Sequence, residues 1–225
     1  MSWENKFPCL YQLYEASEKS HPDNYFSKMG NFQSKLAAVS YLEWENRFAK
    51  LDADSRHQLF QRAAANVVRR DKANERHWSS LFHILNEAKG SNYLQDLGYS
   101  EIKFIPCSSS RTPDVQGSGF SGKALLEVKT VNLSDVGIAK RGTLQKSHTG
   151  LPDGLKRKLL SDYTVACEQL HSILFQEPTR RICYFCITLD LPVVLEDSNK
   201  QALDDYLNSI QKDCEIYQES GFWRS

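Results

Sequence analysis

Residues 111–132 read RTPDVQGSGFSGKALLEVKTVN, and the fold turns on how this stretch is laid out. Gly117, Gly119 and Gly122 sit in its middle. Glycine tolerates positive φ at little cost, so the cluster predicts a chain reversal between two short strands. Val115 and Gln116 lead into the turn, and the run from Ala124 to Val131 is apolar and β-branched toward its end, as a strand requires. Side chains alternate across a strand with period two. Glu127 and Lys129 therefore share one face, and Leu126 and Val128 the other. A tight turn sets Asp114 opposite residues 125–127, beside Glu127 and with the Lys129 ammonium close by.

Two carboxylates about 5 Å apart at an effective dielectric of about 20 repel by roughly 3 kcal/mol. A fold retains such a pair when a proton, a cationic side chain or a metal offsets that cost. Oxygen ligands with open positions suit Mg²⁺, which keeps several waters and takes one or two carboxylates plus phosphate oxygens. A metal held there polarises a phosphoryl oxygen and lowers the pKa of a bound water. A lysine alongside positions or deprotonates that water, or neutralises charge developing on phosphorus. The chemistry indicated is metal-assisted cleavage of a phosphodiester.

Pro113-Asp114, a spacer, and then Glu127-Val128-Lys129 resemble the PD-(D/E)xK signature of the restriction-endonuclease-like nuclease superfamily. The resemblance implies that Asp114 and Glu127 bind Mg²⁺ or Mn²⁺ with help from the Val128 carbonyl, and that Lys129 acts on the attacking water. It also implies an assisting acid from the first core helix, for which Glu87 is the match by position. DNA is the substrate the superfamily favours, and duplex cutting on this fold often uses two subunits, so a homodimer is left open. Some branches carry a QxxxY pattern on a later helix. Here Tyr163 precedes Gln169 and the spacing differs, so no role passes to Gln169.

Composition sets limits on this reading. The 225 residues suffice for one large domain or a domain with an extension, and 40% hydrophobic with 25% charged residues is ordinary for a globular protein. No run approaches the roughly 18 apolar residues of a membrane helix. The N-terminus lacks a basic region followed by an apolar stretch, so an intracellular protein without membrane association is expected. Lys plus Arg and Asp plus Glu both total 28, so any nucleic-acid contact must come from a local patch. Lys140, Arg141, Lys146, Lys156 and Arg157, with only Asp135 and Asp153 against them, form that patch in the long irregular stretch 132–154 and the start of the next helix. Such side chains contact phosphate without reading sequence. Cys183 and Cys186 form a CxxC inside a strand-like run with no second ligand pair, which reads as buried reduced thiols, not a zinc knuckle.

Along the chain, helices are expected over 32–49, with Leu36, Val39, Leu42 and Phe48 facing inward, and over 54–70, capped by Asp54 or Ser55. A third runs from Trp78 to Leu97 with Gly98 as its stop. A strand over 101–106 and the central hairpin follow. Next come a helix over 155–174 and a strand over 181–191. A last helix is capped at Asp197 or Ser198, with Leu203, Tyr206, Leu207, Ile210, Cys214 and Tyr217 at helical spacing. From Trp78 the order is helix, three strands, helix, strand. That matches the αβββαβ core of the restriction-endonuclease-like fold, with a mixed central sheet flanked by helices. The expected division is a helical extension over 1–75 and a nuclease domain over 76–225. Two other readings stay open. One is a catalytically inactive nucleic-acid- or protein-binding module on the same scaffold. The other is an unrelated α/β interaction protein in which Asp114 and Glu127 point away from each other.

Overall fold

The computed structural model describes residues 3–26, 35–68, 78–106, 111–120, 122–132, 151–188 and 197–221. Among these residues the protein is a mixed α/β fold with seven helices and one five-stranded mixed sheet. The chain divides into two compact units, the first ending at Leu97 and the second beginning at Gly98. No described helix is long and apolar enough to cross a membrane.

The first unit holds α1 (Trp3–Lys6), α2 (Pro8–Glu15), α3 (Lys35–Ala49), α4 (Ala53–Ala64) and α5 (Ser79–Asp96). The buried side of α3 is Tyr41, Trp44, Glu45 and Phe48, spaced three, one and three apart as one helix face requires. Leu42, expected on that side, is 50% exposed. Trp44 stacks on Phe48 at 5.4 Å, and Phe48 meets Phe60 of α4 edge-on at 5.1 Å. The cap of α4 is Asp52, whose carboxylate accepts the Ser55 N–H at 2.9 Å, and not Asp54 or Ser55. The helix stops at Ala64, six residues before the expected end, while Leu59, Phe60, Ala63 and Val67 are buried as expected. α5 packs on α3 and α4, and Asn92 donates to the Arg47 carbonyl at 3.1 Å. This packing sets the end of the first unit at Leu97, where the sequence reading divides the chain near residue 75.

The second unit holds β1 (Ser100–Phe104), β2 (Val115–Gly119), β3 (Gly122–Asn132), α6 (Asp153–His171), β4 (Thr179–Thr188), α7 (Asp197–Ile210) and β5 (Glu215–Gly221). The strands lie side by side in chain order. β1, β2 and β3 pair antiparallel, and β3, β4 and β5 pair parallel. The expected hairpin is present, with register from Val115 opposite Leu126 to Gly119 opposite Gly122. Gly122 is required twice over. Its φ is +104°, and a Cβ there would meet the Pro178 carbonyl oxygen at 2.5 Å.

Period two puts Leu125, Glu127, Lys129 and Val131 on the face of β3 that α6 covers. Leu125 and Val131 pack with Cys183, Phe185 and Ile187 of β4 and with Leu159, Tyr163, Ala166 and Leu170 of α6; Leu203 and Leu207 of α7 complete the core. α6 ends at His171, where Arg181 donates to the Leu170 carbonyl at 3.2 Å. A cation on the last carbonyls of a helix complements its dipole. Leu160 and Leu174, expected in its apolar stripe, are 46% and 82% exposed. Cys183 and Cys186 lie three residues apart on β4, hence on opposite faces, and both are buried free thiols. Residues 189–191, placed in this strand by the sequence, lie outside the described residues.

The last expected helix is shorter than its spacing indicates. α7 ends at Ile210, and Tyr217 belongs to β5, its ring stacked on Tyr184 at 5.1 Å. Tyr163 holds the chain between the two, and β5 then pairs with β4. The Tyr163 hydroxyl accepts the N–H groups of Lys212, Asp213 and Cys214 at 2.9, 3.2 and 3.1 Å and donates to the Cys214 carbonyl at 2.9 Å. Those three amides are thereby withdrawn from helical bonding.

Candidate functional site

Asp114 sits just outside the regular β2–β3 ladder. Its N–H bonds the Leu126 carbonyl at 3.1 Å, and its Oδ2 accepts the Val128 N–H at 2.8 Å. A regular ladder would next bring Pro113 against Val128, and proline has no N–H to exchange. The carboxylate therefore serves where a strand's backbone would. A strand residue's N–H and C=O leave the same edge, so the Val128 carbonyl is directed to the Asp114 side.

Glu127 is 2% exposed on the face that α6 covers. Its Oε1 accepts from Lys129 Nζ at 2.7 Å. Its Oε2 is buried with no hydrogen-bond partner. Burial pushes the Glu127 carboxyl up to about 8, the Asp114 charge adds to this, and Lys129 opposes both without cancelling them. Asp114 and Glu127 are thus electrostatic neighbours, which is not the arrangement of a motif whose acids point apart. Lys129 Nζ has a second acceptor, Gln169 Oε1 on α6, at 2.7 Å, and Gln169 Nε2 donates to the Thr112 carbonyl at 3.1 Å.

The structure brings Asp114, Glu127, Val128 and Lys129 together within the second unit. Glu87 lies in the first unit, on α5, where it is 4% exposed and paired with Arg62. Its assisting part rests on the resemblance alone. Lys140, Arg141 and Lys146 lie outside the described residues. Lys156 closes the first turn of α6 and Arg157 follows it; Lys156 is half-buried, 4.0 Å from Asp153 Oδ1, and Arg157 is exposed. Gln169, to which the altered QxxxY spacing gave no role, is brought to the site by the fold. Its partners, Lys129 and Thr112, are 40 and 57 positions away in the chain, so its local pattern does not show what it binds.

The donor set fits a hard dication. Two carboxylates and one ammonium leave one negative charge when both acids are ionised, and a buried carboxylate oxygen lacks a partner. Among the described residues no group of three His, Cys, Asp or Glu side chains is gathered as for a metal. The protein would then supply two carboxylates and the Val128 carbonyl and leave the other positions to water and phosphate, as Mg²⁺ and Mn²⁺ accept.

No protein-family model matches the chain, and no curated protein matches it. A solved structure, Pyrococcus furiosus SfsA in complex with Ca²⁺, is similar at 14% identity with a TM-score of 0.25, over 64% of this chain and 56% of that one. The match spans little more than half of that protein, and at such a score it carries no argument about fold or activity.

Proposed function

We propose that this protein is a metal-dependent nuclease of the PD-(D/E)xK type on a restriction-endonuclease-like core, hydrolysing phosphodiester bonds, with DNA as the first substrate to test. The observation that carries the reading is the buried, partnerless Oε2 of Glu127 beside a second acid and an ammonium. Lys129 satisfies one oxygen of Glu127, and the other is an acceptor that a bound cation could use in place of a proton shared with Asp114.

Asp114, Glu127 and the Val128 carbonyl would hold Mg²⁺ or Mn²⁺. When bound, the metal polarises the phosphoryl group and makes its water a better nucleophile. Lys129 keeps its ammonium at the Glu127 carboxylate and offers its remaining bonding direction to the attacking water or a phosphate oxygen. With a dication present the site's formal charge becomes positive by one, which one phosphodiester anion neutralises. Lys156 and Arg157, together with Lys140, Arg141 and Lys146, would hold the phosphate backbone. Glu87 keeps the assisting role the resemblance gives it, and a homodimer remains the arrangement to test for duplex cutting.

The test is incubation of the full chain with labelled single-stranded, duplex and branched DNA and with RNA, in Mn²⁺ and in EDTA. Cleavage of any of them in Mn²⁺ and none in EDTA is expected. Absence of cleavage together with no heat on titration with several millimolar Mn²⁺ would overturn the proposal and leave a binding module on the same scaffold.

A further inference from the structure

We infer that Gln169 is the positioning residue of this centre: one amide holds the Lys129 ammonium in place and ties the segment that carries Asp114 to the same helix. The inference rests on the reading of the site given above. Its basis is geometric. Gln169 lies on α6 next to buried Leu170 and one turn from buried Ala166, so its backbone belongs to a packed element. Its Oε1 meets Lys129 Nζ at 2.7 Å and its Nε2 meets the Thr112 carbonyl at 3.1 Å.

An amide has one accepting and one donating end. Lys129 donates and the Thr112 carbonyl accepts, so both partners select the same orientation. The flipped amide would set donor against donor and acceptor against acceptor. Gln169 is therefore fixed at both ends.

The two bonds brace the site. Asp114 Oδ2 already links residues 112–114 to β3 through the Val128 N–H. The path from the Thr112 carbonyl through Gln169 to Lys129 is a second link between the same two segments. With both in place, Asp114 and Lys129 are set relative to each other by a closed ring of bonds. Lys129 also gains direction. Its long stem has many rotamers, but two of the three bonding directions of its nitrogen go to Glu127 and Gln169. The third is then aimed by the protein and is not left to chance.

Two variants and two readouts test this. Gln169→Leu removes both bonds at similar volume. Gln169→Glu keeps an acceptor for Lys129 and loses the donor to Thr112. The first readout needs no metal: the ¹H–¹⁵N correlation of the Lys129 ammonium, assigned by its absence in Lys129→Ala, which persists only while its bonds slow exchange with water. The second is the kcat and KM of Mn²⁺-dependent cleavage, with the melting temperature as a control for folding. The signal should be present in the wild type, vanish in Gln169→Leu and remain in Gln169→Glu. In Gln169→Leu kcat should fall about 10- to 100-fold, as loss of an orienting partner does, with KM changed by less than about twofold. A folded Gln169→Leu that keeps the signal, keeps its kcat or loses activity through KM overturns the inference. Should Gln169→Leu not fold, Gln169→Glu decides: a retained signal with lowered kcat sustains the inference, and unchanged kcat overturns it. If the wild type cleaves no nucleic acid, the nuclease reading falls, and the metal-free signal alone decides the place of Gln169.

Discussion

Two buried glutamates, one in each unit, are treated in opposite ways. Glu45 is 7% exposed, and its carboxylate accepts the Cys9 N–H at 2.8 and 3.1 Å and the Leu10 N–H at 3.0 Å. Those amides open α2 and have no partner within the helix, so the anion and the helix start satisfy each other. Glu127 is 2% exposed, gives one oxygen to Lys129, leaves the other without a partner, and faces the field of Asp114. Burial alone does not separate a structural acid from the one proposed here as a metal ligand. The distinction lies in whether the fold supplies every bond the charged form requires.

Asp114→Ala, Glu127→Ala and Lys129→Ala should each lower divalent-dependent cleavage by about a hundred- to a thousandfold or more, measured as kcat/KM. Glu45→Ala should leave kcat/KM of the folded protein unchanged. Equal losses from Glu45→Ala and Glu127→Ala would erase the contrast.

A pH dependence comes next in size. The Glu127 proton is held up to about 8 in the folded protein against an ordinary value of 4.5. The folded state therefore binds that proton more tightly than the unfolded one. Its contribution to the stability of the metal-free protein is full below about 4.5 and is lost as pH rises through about 8. Melts in EDTA should show this decline, and Glu127→Gln should flatten it. Because metal ligation requires the deprotonated carboxylate, Mn²⁺ affinity should rise with pH over the same window, by up to about tenfold per unit, as calorimetric titrations at pH 6 and 8 would show. An affinity independent of pH would place the metal elsewhere.

Stability gives a smaller effect and sharpens the contrast from the other side. Glu45→Ala strands the Cys9 and Leu10 amides and should cost about 1–3 kcal/mol in urea unfolding. The smallest expected effect belongs to the surface. Arg157→Ala should reduce the salt slope of DNA binding by about one without altering sequence preference, measured by fluorescence anisotropy across a range of salt.

The hairpin was legible because local rules cover it. Glycines mark the reversal, period two assigns Glu127 and Lys129 to one face, and the short turn dictates that Asp114 comes beside them. What the sequence hid depends on distant partners. α2 has no cap of its own, since Glu45 supplies the anion from 35 and 36 positions away. Residues 203, 206, 207, 210, 214 and 217 fit a helix, but the Tyr163 hydroxyl, about 50 positions earlier, holds residues 212–214, and pairing with β4 makes Tyr217 part of a strand. Gln169 belongs to the same class, as nothing in its own neighbourhood shows that Lys129 and Thr112 converge on it. Leu160 and Leu174 differ for other reasons: Leu160 lies at the edge of the stripe of a helix that buries only one arc, and Leu174 lies past the helix end at His171.

The bond from Val128 N–H to Asp114 Oδ2 has a consequence for how such a centre can be taken apart. One carboxylate is both a rung of the sheet and, on the proposed function, a metal ligand. Asparagine can still accept that N–H through its carbonyl oxygen while carrying no charge. Asp114→Asn should keep the melting temperature and the sheet's edge intact while silencing the chemistry, whereas Asp114→Ala should harm both. The architecture and the reactivity of this residue can thus be uncoupled by exchanging a single atom.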